Sequence, residues 1–188
     1  MIRSLLFAVA LLLPLGAQAQ VDASIIPDDA PAWVSMEEAI AGAEADGKTI
    51  IVHGYAVWCG WCAKFDEDVY TDDDVQAYLA ENFRVTRLDL EDTTAVRFFD
   101  AEVTYQQLGQ AMGITGTPTT VFVASDGSLI TKLPGYTDAE TFYFALQYVN
   151  EAAYETTPFG QFMEARRAGL SVEQATDDLR PPPRGEGE

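Results

Sequence analysis

The chain is poor in sulfur and imidazole, with two cysteines and one histidine among 188 residues. Tetrahedral zinc draws four ligands from cysteine, histidine and carboxylate. A half-site at Cys59 and Cys62 would need two more, and the chain offers no third cysteine and one histidine, His53. Neither a metal nor any other cofactor is therefore expected. Basic residues are scarce as well: 11 Lys and Arg stand against 30 Asp and Glu, for a formal charge of −19. So acidic a surface argues against nucleic acid and against anionic lipid as partners. Long apolar runs are missing too. The longest, Leu5 to Leu15, falls well short of the roughly twenty residues a bilayer span needs.

That run does have a use. Arg3, the apolar segment and Ala17-Gln18-Ala19 form the three parts of an export signal, with cleavage expected before Gln20. Residues 1–19 are thus read as a signal peptide. The mature chain is expected to be periplasmic and soluble, with no membrane insertion of its own. Apolar residues make up 48% of the sequence, enough for a sizeable core.

Both cysteines lie in Trp58-Cys59-Gly60-Trp61-Cys62, after the apolar run Thr49 to Ala56 and at the start of a helical segment. Two thiols at this spacing, in the first turn of a helix, can close a small disulfide ring. The first sulfur then faces unsatisfied N–H groups and the positive end of the helix dipole. Such a setting lowers a cysteine pKa from about 8.5 toward roughly 3.5–7.5, and the thiolate is the species that exchanges disulfides. A purely structural bridge is the plainer reading. It gains little by closing so short a loop.

The remaining chain alternates helices and strands. Ser35 and Glu38 form a capping-box pattern for a helix to about Ala45, ended by Asp46-Gly47. Ile50-Ile51-Val52 reads as a buried strand entering the cysteine turn. Lys64 to Asn82 is helical with a break near Thr71, and Asp72, Asp73 and Asp74 suit the new helix start. Phe83 to Leu90 alternates as a second strand whose buried face stays open. Glu91 to Val103 has no clear period and reads as an inserted loop or a short helix. Tyr105, Leu108, Ala111 and Met112 give a helical inner face. Two strands, Thr120–Val123 and Leu129–Leu133, flank the turn Ser125-Asp126-Gly127-Ser128, and Gly135 ends the pair. A last long helix is expected from Ala139 to about Tyr154, with Phe142, Ala145, Leu146 and Val149 facing inward.

The cysteine stretch, Gly116-Thr117-Pro118-Thr119, and the strand–turn–strand–helix order after it resemble the thioredoxin superfamily. The run from Lys64 to Thr71 is similar to that of secreted thioredoxin-like proteins and periplasmic disulfide-reductase domains. The resemblance implies an α/β thioredoxin fold, a central mixed β-sheet flanked by helices. Residues 20–34 form an extended lead-in, 35–154 the domain, and 155–188 a helical extension with a disordered tail. Phe159, Phe162 and Met163 would share one face of the added helix.

By that resemblance Cys59 is the exposed nucleophile, Cys62 the buried resolving thiol and Pro118 a cis-proline that brings Thr117 beside the dithiol. Trp58 shields the sulfurs, and Gly60 and Trp61 tune the couple. Trp61 stands where thioredoxins have proline. His53 occupies the place of a buried aspartate that helps move the resolving thiol's proton. From its strand position, Arg87 at the matching place on the next strand would disfavour imidazolium if the two side chains are close. A strand histidine bonded to backbone is the alternative. The implied activity is thiol–disulfide exchange, reducing disulfides of exported proteins with electrons from a membrane-embedded thiol transporter. A disulfide oxidase or isomerase, or a redox-modulated binding or chaperone module, is the competing function.

Overall fold

The computed structural model describes residues 31–171. The segments read as an export signal and a disordered tail, and most of the expected lead-in, lie outside the described residues. Ser35 opens α1 (Met36–Asp46): its hydroxyl accepts the Glu38 N–H at 3.2 Å, and the Glu38 carboxylate accepts the Ser35 N–H at 3.0 Å. β1 (Thr49–Tyr55) follows, buried on both faces from Ile50 onward, as a central strand requires. α2 (Gly60–Asp68) and α3 (Asp73–Asn82) are separate helices. The Asp72 carboxylate caps α3 by accepting the Asp74 and Val75 N–H groups. β2 (Phe83–Asp89), β3 (Ala95–Phe98), β4 (Ala101–Thr104) and α4 (Tyr105–Ala111) come next. The chain then runs through β5 (Thr119–Val123), β6 (Leu129–Pro134), α5 (Ala139–Asn150) and α6 (Phe159–Arg167).

The main sheet has the order β2-β1-β5-β6, with β1 parallel to β2 and antiparallel to β5. Alternation along β1 divides the core into two layers. Ile50 and Val52 pack with Met36, Ile40, Leu88, Leu108 and Met112 on one side. Ile51 packs with Phe65, Val69, Val75, Leu79, Phe142 and Leu146 on the other. Each such buried side chain stabilises the fold by about 1.5–3 kcal/mol. This is the expected mixed sheet between helical layers.

The structure corrects several local readings. Glu91 to Val103 is neither loop nor helix but contains the hairpin β3–β4, with Ala95 opposite Thr104. Its turn passes through Phe99 at φ 50°, a conformation that an aromatic residue seldom adopts. The Phe99 ring lies over Gly127, where a Cβ would come within 2.8 Å of it. In α4, Ala111 is exposed while Leu108 and Met112 are buried. α5 ends at Asn150, short of Tyr154, and a separate 3-10 turn spans Ala153–Glu155. Beyond it α6 packs back on α5: Phe162 is fully buried, its ring 5.2 Å from that of Tyr148. Arg167 pairs with Glu140 of α5 at 2.8 Å. The added helix therefore covers the domain it follows. Among the described residues no helix is long and apolar enough to cross a membrane.

Candidate active site

β1 ends at Tyr55, and four residues later Cys59 is the N-cap of α2, in extended conformation at φ −79° and ψ 97°. Its sulfur accepts the Cys62 N–H at 3.0 Å and its carbonyl accepts the Ala63 N–H at 3.2 Å. Sulfur thus stands where Ser, Thr or Asp oxygen stands in an ordinary cap. The first turn of α2 carries no acidic residue to oppose a negative charge there. Cys59 and Cys62 are joined as a disulfide. Cys62 is 2% exposed, and Cys59, expected to be open to solvent, is only 6% exposed. Tyr55 and Ala56 pack with the pair. The exposed surface belongs instead to Val57, Trp58 and Trp61, the tryptophans at 71% and 60%.

Register brings the second motif to the same end of the sheet. Gly54 of β1 pairs with Thr119 of β5, so the residues just before Thr119 sit level with the strand end that leads to Cys59. The Thr117–Pro118 peptide is cis and Pro118 is buried. The Pro118 carbonyl accepts the Gly135 N–H at 2.8 Å, joining this loop to the end of β6.

A buried polar cluster joins α2 to β1 and β2. Asp66, four residues after Cys62, shares its helix face, since a turn takes 3.6 residues. Its carboxylate accepts from Arg87 at 2.7 Å, with both side chains essentially buried. The Arg87 guanidinium lies 4.3 Å from the Tyr55 ring centroid and 4.9 Å from that of Trp33. Both faces of β2 carry charge: Arg87 points toward α2, and Arg84, on the other face, pairs with Asp46. Burial raises the Asp66 carboxyl above its ordinary range, against the pull of Arg87. The other oxygen of Asp66 is buried without a hydrogen bond, as are His53 Nε2, Arg87 Nε and Trp33 Nε1. The spacing from Cys62 was the available signal for Asp66.

His53 is fully buried opposite Arg87 on β2 and Thr120 on β5. Its Nδ1 lies 3.0 Å from the Tyr70 hydroxyl and 3.3 Å from Thr120 Oγ1, so its partners are side chains rather than backbone. Burial, and then the Arg87 charge, hold its pKa well below the usual imidazole range. The ring is neutral at pH 7.

The family profile described as a thioredoxin-like domain matches residues 36–150. The chain belongs to this family. A thiol:disulfide interchange protein DsbD of Yersinia pestis is 36% identical over 107 residues, covering 56% of this chain and 16% of that protein. The DsbD of Pseudoalteromonas atlantica is 31% identical over 108 residues, covering 56% of this chain and 17% of that protein. The chain thus spans about a sixth of the length of these curated relatives. Among solved structures, a thioredoxin-fold protein from Helicobacter pylori superposes with a TM-score of 0.57 at 18% identity, covering 77% of this chain and 96% of that one. A thioredoxin from Thermus thermophilus gives 0.53 at 25% identity, covering 64% and 87%.

In this thioredoxin-like domain the depressed His53 has a consequence for stability. The unfolded chain protonates its imidazole below about pH 6.5, while the folded chain resists, so folding stability falls as pH drops through that window. The loss is up to about 1.4 kcal/mol per pH unit. Urea unfolding of the oxidised protein and of His53→Ala at pH 7 and pH 5.5 measures it: the difference between them should shrink toward acid. A pH-independent difference would refute the buried neutral ring. A pH–rate profile for His53→Ala that matched the parent's would remove His53 from proton transfer.

Proposed function

We propose that the protein is a thiol–disulfide oxidoreductase that reduces disulfides of exported proteins in the periplasm. The observation that carries this reading is the place of Cys59: its sulfur occupies the cap of α2, bonded to the Cys62 N–H. That position favours a thiolate in the reduced state. The thiolate attacks one sulfur of a substrate disulfide, expels the other as thiolate, and leaves Cys59 joined to the substrate. Cys62 then loses its proton and attacks Cys59 Sγ. The second substrate thiolate departs, and the Cys59–Cys62 disulfide remains. Two electrons have passed to the substrate. Asp66, on the Cys62 face of α2 with a raised pKa, is the carboxylate suited to take that proton.

Thr117 and cis-Pro118 supply backbone for an extended substrate segment, while Trp58, Gly60 and Trp61 set the surroundings of the couple. Net reduction outside the cytoplasm consumes electrons, and a membrane-embedded thiol transporter is the reductant proposed here. The DsbD relatives, named for thiol:disulfide interchange, support this chemistry. Residues 35–154 form the catalytic domain in this reading, residues 1–19 the export signal, and α6 a structural cover.

Two measurements test it. Catalytic amounts of the protein should accelerate dithiothreitol-driven insulin reduction. Equilibration with glutathione should give a potential below about −180 mV, the region of isomerases. A value near about −120 mV would make the protein an oxidant. No turnover at all would leave a binding module.

A further inference from the structure

Trp61 occupies the second position of α2 and is largely exposed, yet one side of its ring is held. The Tyr136 ring centroid lies 5.3 Å away, tilted by 47°. Tyr136 is itself fixed along the helix. Its hydroxyl donates to Asp68 Oδ2 at 2.7 Å, and Lys64 Nζ donates to the same oxygen at 2.5 Å. Its ring meets Phe65 edge-on at 6.1 Å, with the Lys64 ammonium 5.6 Å from its centroid. Trp61, Lys64, Phe65 and Asp68 follow i, i+3, i+4, i+7 spacing, so they make one stripe of α2. Tyr136 lies across that stripe from its first turn to its last. The residue before it, Gly135, donates its N–H to the Pro118 carbonyl. One two-residue segment therefore ties the helix bearing the dithiol to the loop bearing the cis-proline.

We infer that Tyr136 is a positioning residue for substrate selection: it holds Trp61 as a rigid aromatic wall beside the dithiol, against which an apolar or aromatic side chain next to the substrate cysteine packs. The inference rests on the oxidoreductase reading and names the substrate class for it. The occupant follows from the surface itself. Trp61 remains 60% exposed with Tyr136 behind it, and Val57 and Trp58, a few residues earlier in the chain, are 57% and 71% exposed. A ring held on one side loses little freedom when a second apolar group meets its other side. Asp68 is committed to Lys64 and Tyr136, so its charge is neutralised beside the wall.

The test uses two disulfide-linked peptides that differ only before each cysteine, with Phe in one and Ser in the other. Tyr136→Ala should raise KM for the Phe peptide about threefold to tenfold, the worth of one aromatic contact. Its kcat should barely move, and KM for the Ser peptide should stay within about twofold. Tyr136→Phe, which keeps the ring and loses the Asp68 tie, should fall between parent and Tyr136→Ala. In protein carrying 5-fluorotryptophan, the Trp61 fluorine resonance should shift and narrow in Tyr136→Ala. Equal KM changes for both peptides, no change for either, or an unmoved Trp61 resonance overturns the inference while leaving the oxidoreductase intact. A parent protein that reduces neither peptide overturns the activity itself, and the selection role with it.

Discussion

Cys59→Ser should lose insulin-reducing turnover by at least about a thousandfold, the scale on which removing a nucleophile acts. Serine keeps a hydrogen-bonding cap for α2, so the helix and the fold persist and the loss is chemical. Its hydroxyl neither ionises near neutrality nor forms the sulfur–sulfur bond that exchange requires. Cys62→Ser behaves differently. The first attack survives, the release step does not, and the enzyme accumulates as a stoichiometric mixed disulfide that non-reducing electrophoresis detects. Alkylation of reduced Cys62→Ser with iodoacetamide across pH reads the Cys59 thiolate directly. Its apparent pKa should lie between about 3.5 and 7.5. A titration near 8.5, the unperturbed thiol value, would mean that the helix end does not activate the sulfur.

The elements that position this sulfur were legible because their signals are local. Ser35 with Glu38, Cys59 before a helical run and Asp72 before another are caps written within three or four residues. Phe142, Ala145, Leu146 and Val149 recur at helical spacing and are all buried. The hairpin β3–β4 escaped for the opposite reason. Its two-residue bend, Phe99-Asp100, has no glycine, asparagine or proline, and its Phe99 ring packs over Gly127, far away in sequence. Tyr136 escaped likewise, because the stripe it covers belongs to α2. Alternation in β2 could not choose between faces carrying Arg84 or Arg87, since each arginine finds a carboxylate on another element. The burial of Cys59 comes with its packing against Tyr55 and Ala56, which spacing does not encode.

That buried pair carries the second large effect. Arg87→Met leaves Asp66 buried and unpaired, and the protein loses about 3–5 kcal/mol of stability at pH 7. Methionine is long and apolar enough to fill much of the space between Trp33 and Tyr55, so most of the loss comes from the orphaned carboxylate. The double variant Arg87→Met/Asp66→Leu removes the charge as well and should recover most of the deficit, since apolar replacements of buried ion pairs are often neutral or better. The sign with pH follows from the same carboxylate. Burial raises the Asp66 pKa in the folded state even with Arg87 present. Without Arg87 the folded chain prefers the protonated form more strongly, so the single variant gains ground on the parent as pH falls toward the carboxylate range. Urea unfolding of the oxidised proteins at pH 7 and pH 5 measures all three, with unchanged m-values securing the comparison. A double variant no more stable than Arg87→Met would show that the guanidinium contributes through its two aromatic neighbours rather than through Asp66. Insulin turnover then separates stability from chemistry: Asp66→Asn keeps the shape and removes the proton acceptor, so it should slow release of the mixed disulfide without slowing its formation.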